Sequence, residues 1–125
     1  MTQEEIDDVL RKHKLWLARK EDGKWANLCG ADLRGLDLEG AAFYTANLEG
    51  ANFEGANLYG ADMRDTCLCG ANLSNADLQS ADLRWADLRK ANFSGACLFN
   101  AHMNKQEANK ASLTDAQRDS ITIYG

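Results

Sequence analysis

The chain has 125 residues, a formal net charge of −5 and a sequence pI of about 4.9. This length suits a single domain, and the acidic balance argues against a general binder of nucleic acid or of membrane surfaces. No apolar run approaches the roughly eighteen residues that span a bilayer, and the N-terminal segment is acidic where a secretory signal would be basic. We therefore expect a cytoplasmic protein with neither a membrane nor a nucleic-acid partner.

Residues 1–25 are predicted to form an N-terminal capping helix followed by a linker. Within residues 3–20 the apolar side chains fall on or near one stripe of an α-helix. We expect this helix to cover the open edge of the structure that follows, with Trp16 and Trp25 as its anchors. His13 is interpreted as a packing or surface side chain of the same cap.

Residues 26–105 consist of sixteen five-residue units in one register, without insertion or deletion. The first residue is alanine in fourteen units, and the third is always large and apolar. These predicted core residues are Leu28, Leu33, Leu38, Phe43, Leu48, Phe53, Leu58, Met63, Leu68, Leu73, Leu78, Leu83, Leu88, Phe93, Leu98 and Met103. A helix would scatter them, because a step of five residues advances about 140° net, and a flat strand would alternate them between faces. The chain must therefore turn once per unit, which predicts an all-β solenoid with a solid core.

The tandem A-[ND]-L-x-x pattern of residues 26–105 resembles the pentapeptide repeat family. The resemblance implies a right-handed quadrilateral β-helix with four units in each coil, and hence about four coils in this chain. Such a rod is roughly 19 Å tall, because neighbouring strands lie about 4.8 Å apart. The residues alone require corners, but they do not decide between three and four walls.

Residues 106–125 are predicted to form a partial fifth coil and a short C-terminal cap. The five-residue register continues to Leu113 with weaker apolar centres, and Thr114 or Asp115 begins a short helix. Residues 121–124 are apolar and β-prone. Two placements stay open for this tail: it covers the last coil of its own chain, or it pairs with a second chain to form a homodimer.

Four coils define four outer walls, on which side chains twenty residues apart lie above one another. Wall one comprises the units that begin at residues 26, 46, 66 and 86, and walls two, three and four begin five, ten and fifteen residues later. Wall three has acids and no base, and its candidate partner-binding residues are Asp37, Glu39, Tyr59, Asp77 and Phe99. Exposed aromatic side chains favour a protein interface, and the alternative is a ladder that only stabilises the wall. Arg84 and Trp85 on wall four are a second candidate.

These features favour a non-catalytic protein-interaction or structural module whose partner is a protein. The alternative comes from family members that resemble duplex DNA and inhibit DNA gyrase. A duplex as long as the rod would carry about eleven negative charges, whereas residues 26–105 contain ten acids and six bases. Charge density and length therefore argue against mimicry. The chain shows no catalytic constellation and no phosphate-binding loop, so we expect neither an enzyme nor a cofactor.

The four cysteines, Cys29, Cys67, Cys69 and Cys97, are predicted to be reduced thiols without a metal. Cys29 and Cys69 share wall one but lie two coils apart, about 9.6 Å, beyond the roughly 7 Å limit for a disulfide. Cys67-x-Cys69 lacks the spacing of a zinc knuckle, and no histidine is placed to complete a site. An intermolecular disulfide formed in air stays open as an alternative.

Overall fold

The structure is a computed structural model that describes all residues from Met1 to Gly125. Its helices and strands, in chain order, are α1 (Gln3–Leu17), β1 (His102–Asn104), α2 (Lys105–Lys110), α3 (Asp115–Ser120) and β2 (Thr122–Tyr124). None of the three helices combines the length and the apolarity that crossing a bilayer requires. Between α1 and β1 the chain is held together by short bridges instead of long strands.

Twelve isolated parallel β-bridges join residues that are twenty positions apart. They fall into four series, one on each of the four walls, and the bridging residue is the second of its unit. On wall one, Leu28 N–H donates to Asn47 O at 2.8 Å, and Asn47 N–H donates to Ala26 O at 3.1 Å. The chain therefore returns to the same wall after every fourth unit.

In the first fifteen units the last two residues form a corner, and the fifth residue has a positive φ. Glycine fills many of these positions, as at Gly50 (φ 65°), while Asn75 (φ 57°) and Trp85 (φ 63°) adopt the same conformation. The second residue of the unit stabilises the corner, since Asn47 Oδ1 accepts the N–H of Glu49 at 3.1 Å. This bond explains why asparagine and aspartate dominate the second position.

The core is a continuous column of the third-position side chains with the first-position alanines beside them. All sixteen third-position residues expose 3% of their surface or less. They belong to one cluster of 30 buried residues, which also includes Ile6 of α1. Thr66 replaces one alanine, and its buried hydroxyl donates to Met63 O at 2.7 Å. The rod is thus solid, and its outer faces carry whatever contacts a partner.

Helix α1 lies against the first coil through two side chains that bond to open backbone groups. The Gln3 amide donates to Asp37 O at 2.7 Å and accepts the Asp37 N–H at 2.8 Å. His13 Nδ1 accepts the Ala26 N–H at 3.0 Å, so Nε2 carries the hydrogen that it donates to Tyr44 O at 2.7 Å. Side chains of α1 thereby satisfy backbone groups of the first coil on walls one, three and four, where no preceding coil is present.

Helix α1 ends at Leu17, three residues before the predicted end. Arg19 takes a left-handed φ of 55°. Its N–H donates to Trp16 O, and Lys20 N–H donates to Leu15 O at 2.9 Å. These two bonds form a Schellman motif, which stops the helix without the usual glycine.

The predicted anchors of α1, Trp16 and Trp25, both contact the cap, but they are not its buried residues. The fully buried residues of the cap are Ile6 and His13, whereas Trp16 and Trp25 expose 43% and 39% of their surface. Trp16 stacks on the His13 ring with the centroids 5.7 Å apart, and Trp25 Nε1 donates to Thr45 O at 3.0 Å. Each indole thus makes one contact with the cap and leaves about two-fifths of its surface in solvent.

The C-terminal tail covers the last coil of its own chain. Strand β2 pairs in parallel with β1, so that His102 lies opposite Thr122 and the register is again twenty residues. Helix α3 precedes β2, and Gln117 Nε2 donates to Phe93 O at 2.8 Å and to Ala96 O at 3.0 Å. Within the chain, β2 has a strand partner on one side only.

Candidate interaction surface

Wall three presents its predicted partner-binding residues on the outer face of the rod. The second and fourth residues of each unit point outward, because the first and third point into the core. Tyr59 and Phe99 expose 44% and 56% of their surface. Asp37 and Glu39 are exposed, and Asp77 is half-buried. The structure therefore brings these five residues together on one face.

The Asp37 and Asp77 carboxylates of wall three accept local hydrogen bonds, and none of the wall's three carboxylates is paired with a cation. Asp37 Oδ1 accepts the Glu39 N–H at 3.2 Å and the Asn57 Nδ2 amide at 3.2 Å. Asp77 Oδ1 accepts the Gln79 N–H at 3.0 Å. No lysine, arginine or histidine lies within 4.0 Å of a carboxylate oxygen on this wall. Their negative charge is therefore uncompensated.

The other walls neutralise their second-position aspartates with an arginine two residues later. The aspartate and the arginine of such a unit both point outward, with a buried leucine or methionine between them, so the guanidinium reaches its own aspartate. These pairs are Asp32–Arg34, Asp62–Arg64, Asp82–Arg84 and Asp87–Arg89, each with an N–O contact of 2.7 or 2.8 Å. The hydrogen bonds from Arg34 hold the pKa of the Asp32 carboxyl below its ordinary range. Wall three has Glu39 or Gln79 at the arginine position and forms no such pair.

The two residues of the second candidate, Arg84 and Trp85, have different environments in the structure. Arg84 binds Asp82 at 2.7 Å, and its guanidinium carbon lies 4.8 Å from the centroid of the Tyr124 ring. Trp85 exposes 67% of its surface, and its N–H donates to Asn104 Oδ1 at 2.7 Å. Arg84 is thus occupied within the chain, and only the Trp85 side chain is free.

Tyr124 is a wall-four residue that the sequence reasoning missed. His102 Nδ1 lies 2.6 Å from Tyr124 Oη, and the two rings are 5.4 Å apart. These contacts form because the tail returns to wall four with β2. The signal was the twenty-residue spacing of His102 and Thr122, which identifies the tail as the next strand of that wall.

The surface has grooves but no enclosed site. One groove of about 340 Å³ lies between α1 and Trp25, and another of about 340 Å³ lies between Trp85 and α2. No group of three or more histidine, cysteine, aspartate or glutamate side chains is placed to hold a metal ion. The cysteines are free thiols, of which Cys29 and Cys97 are exposed.

Comparison with known proteins identifies the repeat. The family model for pentapeptide repeats matches residues 24–55, 37–75 and 70–104, with eight copies. The chain is similar to a pentapeptide repeat protein from the thylakoid lumen of Arabidopsis thaliana, with 44% identity, a TM-score of 0.62, and coverage of 62% of this chain and 54% of that chain. It is also similar to a pentapeptide repeat protein from Nostoc Pcc 7120, with 29% identity, a TM-score of 0.55, and coverage of 91% and 93%. No curated protein matches significantly.

The prediction of a cytoplasmic location is wrong. The relative with 44% identity is a protein of the thylakoid lumen, and this chain spans about half of its length. An alanine and leucine core with asparagine corners serves equally well on either side of a membrane. Composition therefore does not fix the compartment of a chain with this repeat.

Proposed function

Because the chain belongs to the pentapeptide repeat family, we propose that it is a non-catalytic protein-interaction module built on a right-handed quadrilateral β-helix. Four series of bridges at twenty-residue spacing support about four coils over residues 26–105. The contacts of α1 support an N-terminal cap within residues 1–25, and those of α3 and β2 support a C-terminal cap within residues 106–125. A solid core leaves recognition to the outer walls.

Wall three is the proposed binding surface. The observation that carries this proposal is the coincidence, on one wall, of two exposed aromatic side chains with carboxylates that no cation compensates. Aromatic groups supply the apolar centre of a protein interface, and uncompensated charge attracts its opposite. The partner is therefore a protein surface with basic side chains around an apolar contact.

The alternative role of Tyr59 and Phe99 as a stabilising ladder has little support. The two residues are forty positions apart, which places them two coils apart with Gln79 between them. The aromatic contacts of the chain do not include this pair. Each ring leaves about half of its surface in solvent, at 44% and 56%. Covering these rings with a partner would bury area that the fold itself leaves open.

Mimicry of duplex DNA is the alternative function that the sequence suggested, and the ion pairs of the rod argue against it. Four aspartates of the rod are bound to arginines of their own units, which lowers the density of free negative charge further. The phosphates of a duplex are uniformly spaced and carry no such counter-charges. A supercoiling assay in which micromolar protein leaves DNA gyrase unaffected would remove this function.

The interaction is tested by neutralising wall three without disturbing its hydrogen bonds. In the triple variant Asp37→Asn/Glu39→Gln/Asp77→Asn, the asparagine oxygens can still accept the corner N–H groups. The control Glu49→Gln/Glu54→Gln removes charge from walls one and two. We expect the wild type and the control to capture the same proteins from native lysate, and the triple variant to capture none of them. Raising the salt concentration should release the captured proteins from the wild type.

The apolar half of the surface is tested by Tyr59→Ala/Phe99→Ala, with Trp85→Ala as the control at another exposed aromatic position. Loss of the same captured proteins in the double variant, and their retention in the control, is the expected result. Capture of an identical set of proteins by the wall-three variants and the wild type would exclude wall three as the binding surface.

Self-association through the C-terminal tail is a further part of the proposal. Strand β2 has one unpaired edge, and Ile123 exposes 45% of its surface. An open apolar edge strand is a template for pairing with a second chain. Light scattering after size exclusion should give a dimer mass for the wild type and a monomer mass for Ile123→Lys. A monomer mass for the wild type would contradict this part.

A further inference from the structure

Two thiols lie side by side on the outer face of wall one, in the third coil. Leu68 between them is fully buried, so Cys67 and Cys69 both point outward. The backbone at this place is fixed on both sides, since Cys67 N–H donates to Ala46 O and Cys69 O accepts the Gly50 N–H at 3.0 Å. Residues two apart on an extended chain have Cα atoms about 6.6 Å from each other.

The backbone beside these thiols has a free donor. In the neighbouring unit of wall one, Asn47 Oδ1 accepts the Glu49 N–H at 3.1 Å. Cys67 occupies the asparagine position and lacks that oxygen, and the Cys69 N–H makes no hydrogen bond in the structure. A negatively charged sulfur at Cys67 would find this N–H as a donor.

Charged side chains of both signs lie on wall one in the coils beside this pair. Arg89 follows Cys69 by twenty residues on wall one and binds Asp87 at 2.7 Å. The pKa of Arg89 is raised first by its hydrogen bonds to Asp87, and to a smaller extent by the Cys69 and Cys67 side chains. Asp87 is the bridge partner of Cys67, and Glu49 precedes Cys69 by twenty residues, so the neighbouring coils place two carboxylates and one guanidinium beside the pair.

We propose that Cys67 and Cys69 bind a soft monovalent metal ion, of which copper(I) is the biological representative, between two thiolates. At the distance of about 2.3 Å that thiolates keep from zinc, two sulfurs in a linear complex are about 4.6 Å apart. This is less than the separation of the two Cα atoms, so binding requires the two side chains to lean together. Thiolates select copper(I) among biological metals, and both protons leave to solvent on binding. The complex has a net charge of −1, which is one unit less negative than two free thiolates beside these carboxylates, and the Cys69 N–H is a donor for the Cys67 sulfur. Zinc is not suited, because no third ligand is available.

The test is an anaerobic titration of the reduced protein with copper(I), in competition with the chelator bicinchoninate. The variants are Cys67→Ser, Cys69→Ser and the control Cys29→Ser/Cys97→Ser, which keeps the pair and removes the other two thiols. We expect one copper per chain in the wild type and the control. Each single variant should bind about 100-fold more weakly, because the second sulfur no longer acts as an intramolecular ligand.

A second measurement uses the wild type alone and does not depend on the folding of variants. Copper(I) should protect Cys67 and Cys69 from alkylation, as read by peptide mass mapping, and leave Cys29 and Cys97 reactive. Wild-type affinity in Cys67→Ser, equal protection of all four thiols, or native mass spectra with copper shared between two chains would each overturn the proposal.

Discussion

An aspartate on this rod is compensated or left free according to the residue two positions later. Asp87 is followed by Arg89, which binds it at 2.7 Å. Asp77 is followed two residues later by Gln79, and the Asp77 side chain accepts a hydrogen bond only from the backbone N–H of Gln79. A single position in each unit thus sets the charge of a wall, while the bond that holds the corner is the same in both cases.

The Asp87 pair makes stability depend on pH. The hydrogen bonds from Arg89 lower the pKa of Asp87 from its ordinary 3.8. Because the folded-state pKa is depressed, the pair stabilises the fold above pH 3.8 and loses this contribution as pH falls through the lowered value. Asp87→Asn should therefore reduce the free energy of unfolding by up to about 1 kcal/mol at pH 7. In urea titrations the difference from the wild type should shrink as the pH falls below 3.8 and close once it is below the lowered pKa of Asp87. A difference that persists unchanged in acid would contradict the assignment.

His13 is a second residue whose role the structure makes testable. Its ring is fully buried and bonds to the Ala26 N–H and to Tyr44 O. His13→Ala should lower the free energy of unfolding by about 2–4 kcal/mol, because it leaves a cavity and two unsatisfied backbone groups. The control is Lys14→Ala, on the exposed face of α1. Thermal melts in which both variants match the wild type would show that α1 does not dock through the ring.

At the scale of elements, the caps use side-chain amides where the coils use peptide groups. Gln3 makes both bonds of a bridge with Asp37. Gln117 donates to two carbonyl oxygens, those of Phe93 and Ala96. An amide side chain has the same donor and acceptor as a peptide bond, so it satisfies an open strand edge without extending it.

Gln117 allows this cap to be tested. Its side chain also completes the capping box of α3 with Thr114, so Gln117→Ala removes several bonds at once. We expect a loss of about 1–2 kcal/mol in the free energy of unfolding. The control Gln106→Ala changes an exposed residue of α2. Hydrogen exchange should show faster exchange in α3 and β2 for Gln117→Ala, and equal exchange in the two variants would contradict the role.

The elements differ in how far the sequence predicted them. The repeat required a turn in each unit and burial of residues such as Leu68, because no other arrangement hides a side chain at every fifth position. The contacts of the cap could not be predicted from the sequence, because the polarity of a side chain does not show that His13 is buried or that Trp16 is exposed. The sequence showed that wall three has acidic residues and no basic ones. It did not show that the aspartates of the other walls are paired with arginines, because that pairing depends on the directions of the side chains in the folded coil.

At the scale of the whole molecule, stability is a sum over stacked coils in which each coil contacts its neighbours. The core cluster of 30 residues runs through the rod without a gap. A defect in a middle coil therefore disrupts contacts on both sides, and a defect in an end coil disrupts contacts on one side only.

Leu68→Asp tests this continuity. The side chain is fully buried in the third coil, and a carboxylate there has no cation to pair with in the column. We expect the array to lose its structure cooperatively, with the far-UV circular dichroism of the native fold absent at 25 °C. The control Glu49→Ala lies on the outer face of the same wall. A native spectrum and melt for Leu68→Asp would contradict the inward placement.

The twenty-residue return of the chain has a consequence for how its surfaces change through insertion and deletion. Removing one five-residue unit preserves the pattern of buried residues, but it shifts every later unit by one wall. Residues after the deletion that were on wall three then lie on an adjacent wall. Removing four units shortens the rod by one coil and leaves every remaining residue on its original wall. The rod can therefore change its length by whole coils, whereas a surface formed by residues of several coils is preserved only when units are gained or lost in multiples of four.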